Sequence, residues 1–133
     1  MASNEADKTE KITINLGLID LGQIDLLVQE GFYANRTDFI RSAIRTQLAT
    51  RASAVDQSVK RNALVLGTQN YSRRNLEQLQ AKGERVEIRV LGLATIASDV
   101  PVELALATIE SVEVLGAFRA SPAVKKALTP RTI

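Results

Sequence analysis

Lys11, Thr13 and Asn15 occupy alternate positions in the stretch K-I-T-I-N-L-G, and Ile12, Ile14 and Leu16 occupy the positions between them. Alternation with period two marks a strand with one buried face. A cation, a hydroxyl and a carboxamide would then stand in a row on the opposite face. Lysine can donate to guanine O6 and N7, asparagine can pair with adenine N6 and N7, and threonine can bond or touch a thymine methyl. The same groups can bind phosphates. The apolar face needs cover, yet no comparable strand pattern follows before Val65.

The segments after this strand are the elements that would hold it. Asp20 can cap a helix over 21–30, in which Leu21, Ile24, Leu27 and Val28 share one face and Gly31 ends the run. Gly22 weakens that helix by up to about 1 kcal/mol relative to alanine. After the connector F-Y-A, Asn35 is a strong N-cap, and Asp38 three residues later suits a helix N-terminus. A second helix over 36–48 places Phe39, Ile40, Ala43, Ile44 and Leu48 on a buried stripe, with Arg36, Arg41, Arg45 and Arg51 elsewhere on its surface. Strand, helix, helix is too little to close a core, since chains under about 40 residues need a metal, a disulfide or a partner. With no His and no Cys in the chain, disulfides and Cys/His metal sites are excluded. Dimerisation remains, with the segment 11–16 pairing antiparallel to its own copy and four helices closing over the apolar side of the ribbon. The expected dimer core is Ile12, Ile14, Leu16, Ile24, Leu27, Phe39, Ile40 and Ile44.

The text K-I-T-I-N-L-G followed by I-D-L-L-V-Q-E-G-F-Y-A-N-R-T-D-F-I-R-S-A-I-R-T-Q-L resembles the ribbon-helix-helix DNA-binding proteins of the Arc, MetJ and CopG type. The entry to the second helix, G-F-Y-A-N-R-T-D-F-I-R, is especially similar. The resemblance implies an intertwined dimer whose two-stranded ribbon enters the major groove. It assigns base readout to Lys11, Thr13 and Asn15. The helix N-terminus at Asn35, Arg36 and Thr37 becomes the phosphate grip, which fixes register without reading sequence. The connection G-L-I-D-L-G departs from the Pro or charged residue that many such proteins carry there. Nickel-dependent members of the family use His and Cys, which this chain lacks, so neither metal nor other cofactor is expected.

Charge is distributed unevenly over the 133 residues. Residues 1–51 hold six Lys/Arg against seven Asp/Glu, residues 52–89 seven against four, and residues 90–133 four against four. DNA binding must therefore rest on a few placed charges rather than bulk charge, and affinity should depend strongly on salt. No run of apolar residues is long enough to span a bilayer and no targeting segment is evident, so a soluble, cytoplasmic, nucleoid-associated protein is expected.

Beyond a helical extension or linker at 51–62, the tripeptide Val-Leu-Gly recurs at 65–67, 90–92 and 114–116. Strand-like text precedes the later copies. Turn or cap signals follow each one: Ser72, the Ser98–Pro101 group, and Ser121-Pro122. A helical segment comes next in every case. Three such units over 63–128 predict a small α/β repeat domain with parallel strands, ended by a polar tail at 129–133, while residues 1–9 read as disordered. The fold class is thus α+β: a ribbon-helix-helix module over 10–50 and an α/β repeat domain of about three strand–helix units. No phosphate-binding glycine loop and no nucleophile beside a base is present, so no enzyme activity is expected. The functional expectation is a bacterial or phage transcription regulator, a repressor that binds a double-stranded DNA operator as a homodimer and forms higher oligomers through its repeats. The alternatives are an antitoxin-type autorepressor and a structural assembly protein whose repeats polymerise.

Overall fold

The three Val-Leu-Gly copies lie side by side. In the computed structural model, which describes residues 8–133, Val65, Val90 and Val114 are partners across one sheet, as are Leu66, Leu91 and Leu115, and Gly67, Gly92 and Gly116. The sheet has three parallel strands in sequence order: β1 (Val65–Tyr71), β2 (Val86–Ile96) and β3 (Ile109–Arg119). Parallel neighbours need long crossovers. These are supplied by α4 (Arg73–Ala81) and α5 (Val102–Thr108), and α6 (Pro122–Leu128) follows β3. The strand–helix repeat expected from the sequence is therefore the observed architecture.

The glycine column sets the register. All three glycines have positive φ, from 119° to 138°. A Cβ on Gly92 would collide with the carbonyl oxygen of Gly67, and one on Gly116 with that of Gly92. Only glycine permits this backbone approach. Around the column, Ile88, Val90, Ala94 and Ile96 of β2 and Val112 of β3 turn to one face. There they bury Leu76 of α4, Leu104 and Ala105 of α5, and Val124 and Leu128 of α6. Thr108, the buried polar residue of this core, donates its hydroxyl to the Leu104 carbonyl at 2.7 Å. On the opposite face Arg89 and Glu113 form an ion pair across β2 and β3 at 3.3 Å.

Caps differ in part from expectation. Ser72 and Ser121 do cap α4 and α6, and Ser72 forms a reciprocal box with Asn75. The Ser98–Asp99 pair does not cap α5, whose N-cap is Pro101 with no side-chain bond. The segment 129–133 carries a 3-10 turn (Thr129–Arg131), and Thr132 bridges to Val112. Arg131 holds it in place by donating from Nη1 to the carbonyls of Leu106 and Ile109, both at 2.7 Å.

The described chain divides into two units, residues 9–58 and residues 59–133 together with Lys8. The first contains α1 (Leu18–Gln29) and α2 (Arg36–Thr50), and α3 (Ala52–Arg61) occupies the expected helical linker. α1 begins earlier than Asp20 suggested. Gly17 is its N-cap and Asp20 sits in the first turn, where its charge still complements the helix dipole. Residues 9–17 carry no hydrogen-bonded strand, so the alternating segment has no strand partner in the single chain. Of the expected disordered segment, residues 1–7 lie outside the described residues.

Three helices end with the same pair of backbone bonds. Phe32 N–H to Leu27 and Gly31 N–H to Val28 close α1, and Glu84 to Leu79 and Gly83 to Gln80 close α4. Leu64 to Val59 and Ala63 to Lys60 close α3. The pivot residue is left-handed each time, and at α3 it is alanine, with φ 52°. Ala63→Gly should therefore raise stability by about 0.5–1 kcal/mol, because glycine meets no Cβ penalty there. Gly116→Ala should lower the thermal midpoint sharply, since its Cβ would meet backbone rather than a movable side chain. Thermal unfolding followed by circular dichroism checks both signs.

Candidate nucleic-acid interface

The polar residues that open the chain's first unit stand on an uncovered segment. Lys11, Thr13 and Asn15 are exposed, and so are the apolar residues between them: Ile12 is 74% exposed, Ile14 59% and Leu16 38%. Of the eight expected core residues, Ile24 alone is buried in the single chain, at 6% exposure. Leu27, Phe39 and Ile40 are half-buried, and Ile44 is exposed. α1 packs on α2, and Tyr33 meets Phe39 edge-on with ring centroids 5.0 Å apart. The remaining apolar surface, which also includes Leu18, Ile19, Leu26, Phe32 and Leu48, stays in solvent.

The start of α2 is well defined. The Asn35 side chain accepts the Asp38 N–H at 2.8 Å, and the Asp38 carboxylate accepts the Ala34 N–H at 2.9 Å. Side chain and backbone thus satisfy one another across the turn, as in a capping box. Asn35 takes the third N–H of the helix, which leaves those of Arg36 and Thr37 as first-turn donors with no acceptor inside the helix.

Arg36 has a further role that sequence reading missed. Its guanidinium is bidentate on Asp25 of α1, with Nε and Nη2 at 2.7 and 2.8 Å from the two carboxylate oxygens. The pair fastens the start of α2 to α1. The hydrogen bond from Arg36, and then its charge, hold the Asp25 carboxyl below the usual range, and Asp25 raises Arg36 in return. Eleven residues separate the two, too far for a helical i,i+4 signal, so only the packed helix pair reveals the contact.

Among the described residues there is no group of His, Cys, Asp or Glu that could hold a metal ion, and no helix long and apolar enough to cross a membrane.

Asn35→Ala should cost about 0.5–2 kcal/mol, the usual loss on removing an asparagine cap. The Asp25–Arg36 pair should act in the opposite direction to a histidine switch. A carboxyl whose folded pKa is depressed contributes stability above its unfolded value, and that contribution is lost as pH falls through the lowered one. Arg36→Ala should return the Asp25 titration to the ordinary carboxylate range, which side-chain carboxyl NMR shifts across an acid titration would report.

Comparison with known proteins places both units in one lineage. A model of the ribbon-helix-helix transcriptional regulator family matches residues 7–125. The match takes in the helix pair and most of the α/β repeats, so the repeats belong to the family's own pattern. No curated protein and no solved structure gives a match. An uncovered alternating segment, a helix pair whose second member is capped by Asn35, and a family match over well over half its length lead to one conclusion: the chain belongs to the ribbon-helix-helix transcriptional regulators.

Proposed function

We propose that the chain is a sequence-specific, double-stranded DNA-binding repressor that reads the major groove with a two-stranded β-ribbon. One observation carries the reading. The alternating segment Lys11–Leu16 leaves its isoleucines in solvent, ahead of a helix pair that buries a single apolar side chain. A second copy of the same segment supplies the missing cover. An antiparallel ribbon then turns the apolar positions Ile12, Ile14 and Leu16 inward, together with Ile24, Leu27, Phe39, Ile40 and Ile44. The same pairing sets Lys11, Thr13 and Asn15 of both chains in one outward row, a set of donors and acceptors that matches base edges in the groove.

The N–H groups of Arg36 and Thr37, in the turn capped by Asn35, grip a phosphate on each side and fix the register. Asp25 already holds the Arg36 guanidinium, so the backbone carries more of that contact than the arginine charge does. Repression follows from occupying an operator that polymerase needs, in the cytoplasm and on the nucleoid. The α/β unit joins dimers into higher oligomers, and linked binding of this kind raises avidity by about 10²–10⁴ where the geometry allows both sites to engage.

The test begins with selection of bound duplexes from random DNA by the full chain. Against the selected operator, Asn15→Ala should weaken specific binding by about 1–3 kcal/mol while the dimer stays folded. Normal operator binding by that variant in a gel-shift titration would overturn the readout assignment.

A further inference from the structure

Among the described residues, β1 pairs only with β2, and β3 pairs with β2 and, at Val112, with Thr132. Two strand edges therefore stand open: Val65–Tyr71 on one side, and Val114 to Phe118 on the other. Open edges are ordinarily guarded by lysines, prolines or bulges. β1 contains no charged residue or proline, and neither does the stretch of β3 between Glu113 and Arg119.

The glycine column gives these edges a direction. Gly92 and Gly116 must each be glycine because the carbonyl of the preceding strand's glycine occupies the space of a Cβ. Gly67 has the same positive φ, 125°, yet nothing lies within 4 Å of where its Cβ would be. Among the described residues, the strand that would explain Gly67 is missing. The leucines repeat the pattern. Leu91, flanked on both sides, is half-buried, whereas Leu66 and Leu115 at the two edges are 63% and 55% exposed.

We propose that the missing strand is β3 of a second copy. It lies parallel to β1, with Gly116 of one copy against Gly67 of the next and the pairs running from Val114–Val65 to Phe118–Gln69. The joint continues the register already seen twice within the chain and brings Leu115 beside Leu66. The Thr132 bridge and the Ile133 N–H both engage β3 at Val112, ahead of Val114. Each copy offers one β1 edge and one β3 edge, so the contact is head-to-tail and leaves a new edge at each end, as heterologous contacts do. This deepens the assembly half of the function proposed above and is independent of which DNA is read.

The chain has no cysteine, which makes the joint open to a clean test. Thr68 and Ala117 flank Leu93 within one sheet, two strand spacings or about 9.6 Å apart, beyond the ~7 Å Cα limit for a disulfide. Across the proposed joint they are direct neighbours at about 4.8 Å, within disulfide range. Mild oxidation of full-length Thr68→Cys/Ala117→Cys should give a ladder of reducible multimers beyond the dimer on a denaturing gel. Either single variant should give none of that ladder. No ladder from the double variant would overturn the joint, and so would a covalent dimer from a single variant, the most that one thiol per chain can form, in favour of β1–β1 or β3–β3 contact. Sedimentation of the unmodified chain separates the two ideas: assemblies larger than a dimer with no ladder sink this joint alone, and a dimer with no ladder sinks the assembly reading as well. A second pair guards against misfolding. Leu66→Lys/Leu115→Lys should hold the chain at the dimer, and Leu66→Lys/Leu115→Glu should restore growth. Equal sedimentation of the two pairs would count against the joint.

Discussion

Backbone contact at the glycine column governs the α/β unit. Where Gly92 meets the Gly67 carbonyl and Gly116 meets that of Gly92, no side chain intervenes between neighbouring strands. Elsewhere in a sheet, register is set by which side chains face the core, and a slip of one residue exchanges the two faces. Here a slip would also drive a leucine or alanine Cβ into a carbonyl. The two constraints agree, because the residues around the column that turn toward the helices are the ones the core buries: Val90 and Ala94 in β2, Val112 in β3. The helices follow from this, since parallel strands held in that register can be joined only by crossovers, which the core residues draw to one face.

The N-terminal unit is organised by the opposite circumstance, an interaction the single chain cannot complete. α1 and α2 meet through Ile24, the Tyr33–Phe39 ring contact and the Asp25–Arg36 ion pair. Those contacts orient two helices without closing a core. The ion pair is exposed on both sides, and pairs of that kind contribute little stability. Its value is geometric: a bidentate guanidinium fixes the angle at which the capped turn around Asn35 meets α1. The ribbon-helix-helix family match over residues 7–125 takes in this helix pair and the alternating segment ahead of it.

Much of this was legible in the sequence, and the failures share a cause. Asn35 and Asp38 announced the start of α2 because capping is decided within four residues. The Val-Leu-Gly repeat announced the sheet because the repeated residues are the ones that touch. Local signals failed where distant groups decide the outcome. Asp20 was the better cap by type, but α1 runs on to Gly17, and the carboxylate serves in the first turn instead. The Ser98–Pro101 group, a turn or cap signal in the sequence, supplies both: Ser98 and Asp99 form a turn, and Pro101, whose fixed φ suits the approach to a helix, is the N-cap of α5. Arg36 reads as a surface cation, and its partner lies eleven residues back on another helix. The segment 129–133 reads only as a polar tail, and it is drawn onto β3 by Arg131, whose acceptors lie more than twenty residues away. The segment 11–16 is a different matter: its alternation is plain, but a strand exists only once something pairs with it.

The carbonyl of Leu106, near the end of α5, receives two arginines. Arg131 Nη1 reaches it at 2.7 Å and Arg85 Nη2 at 3.3 Å, and Arg131 also reaches Ile109. Cations at a helix C-terminus meet the negative end of its dipole. These two come from opposite directions along the chain, one from just before β2 and the other from beyond α6. In arrays of stacked repeats, units at an end can fray one at a time because each touches only its neighbours. Here the last unit cannot peel away without stripping Arg131 from the helix before it, nor can that helix shift without disturbing the entry to β2. The second and third repeats are therefore tied to each other at one carbonyl by residues from both sides of α5.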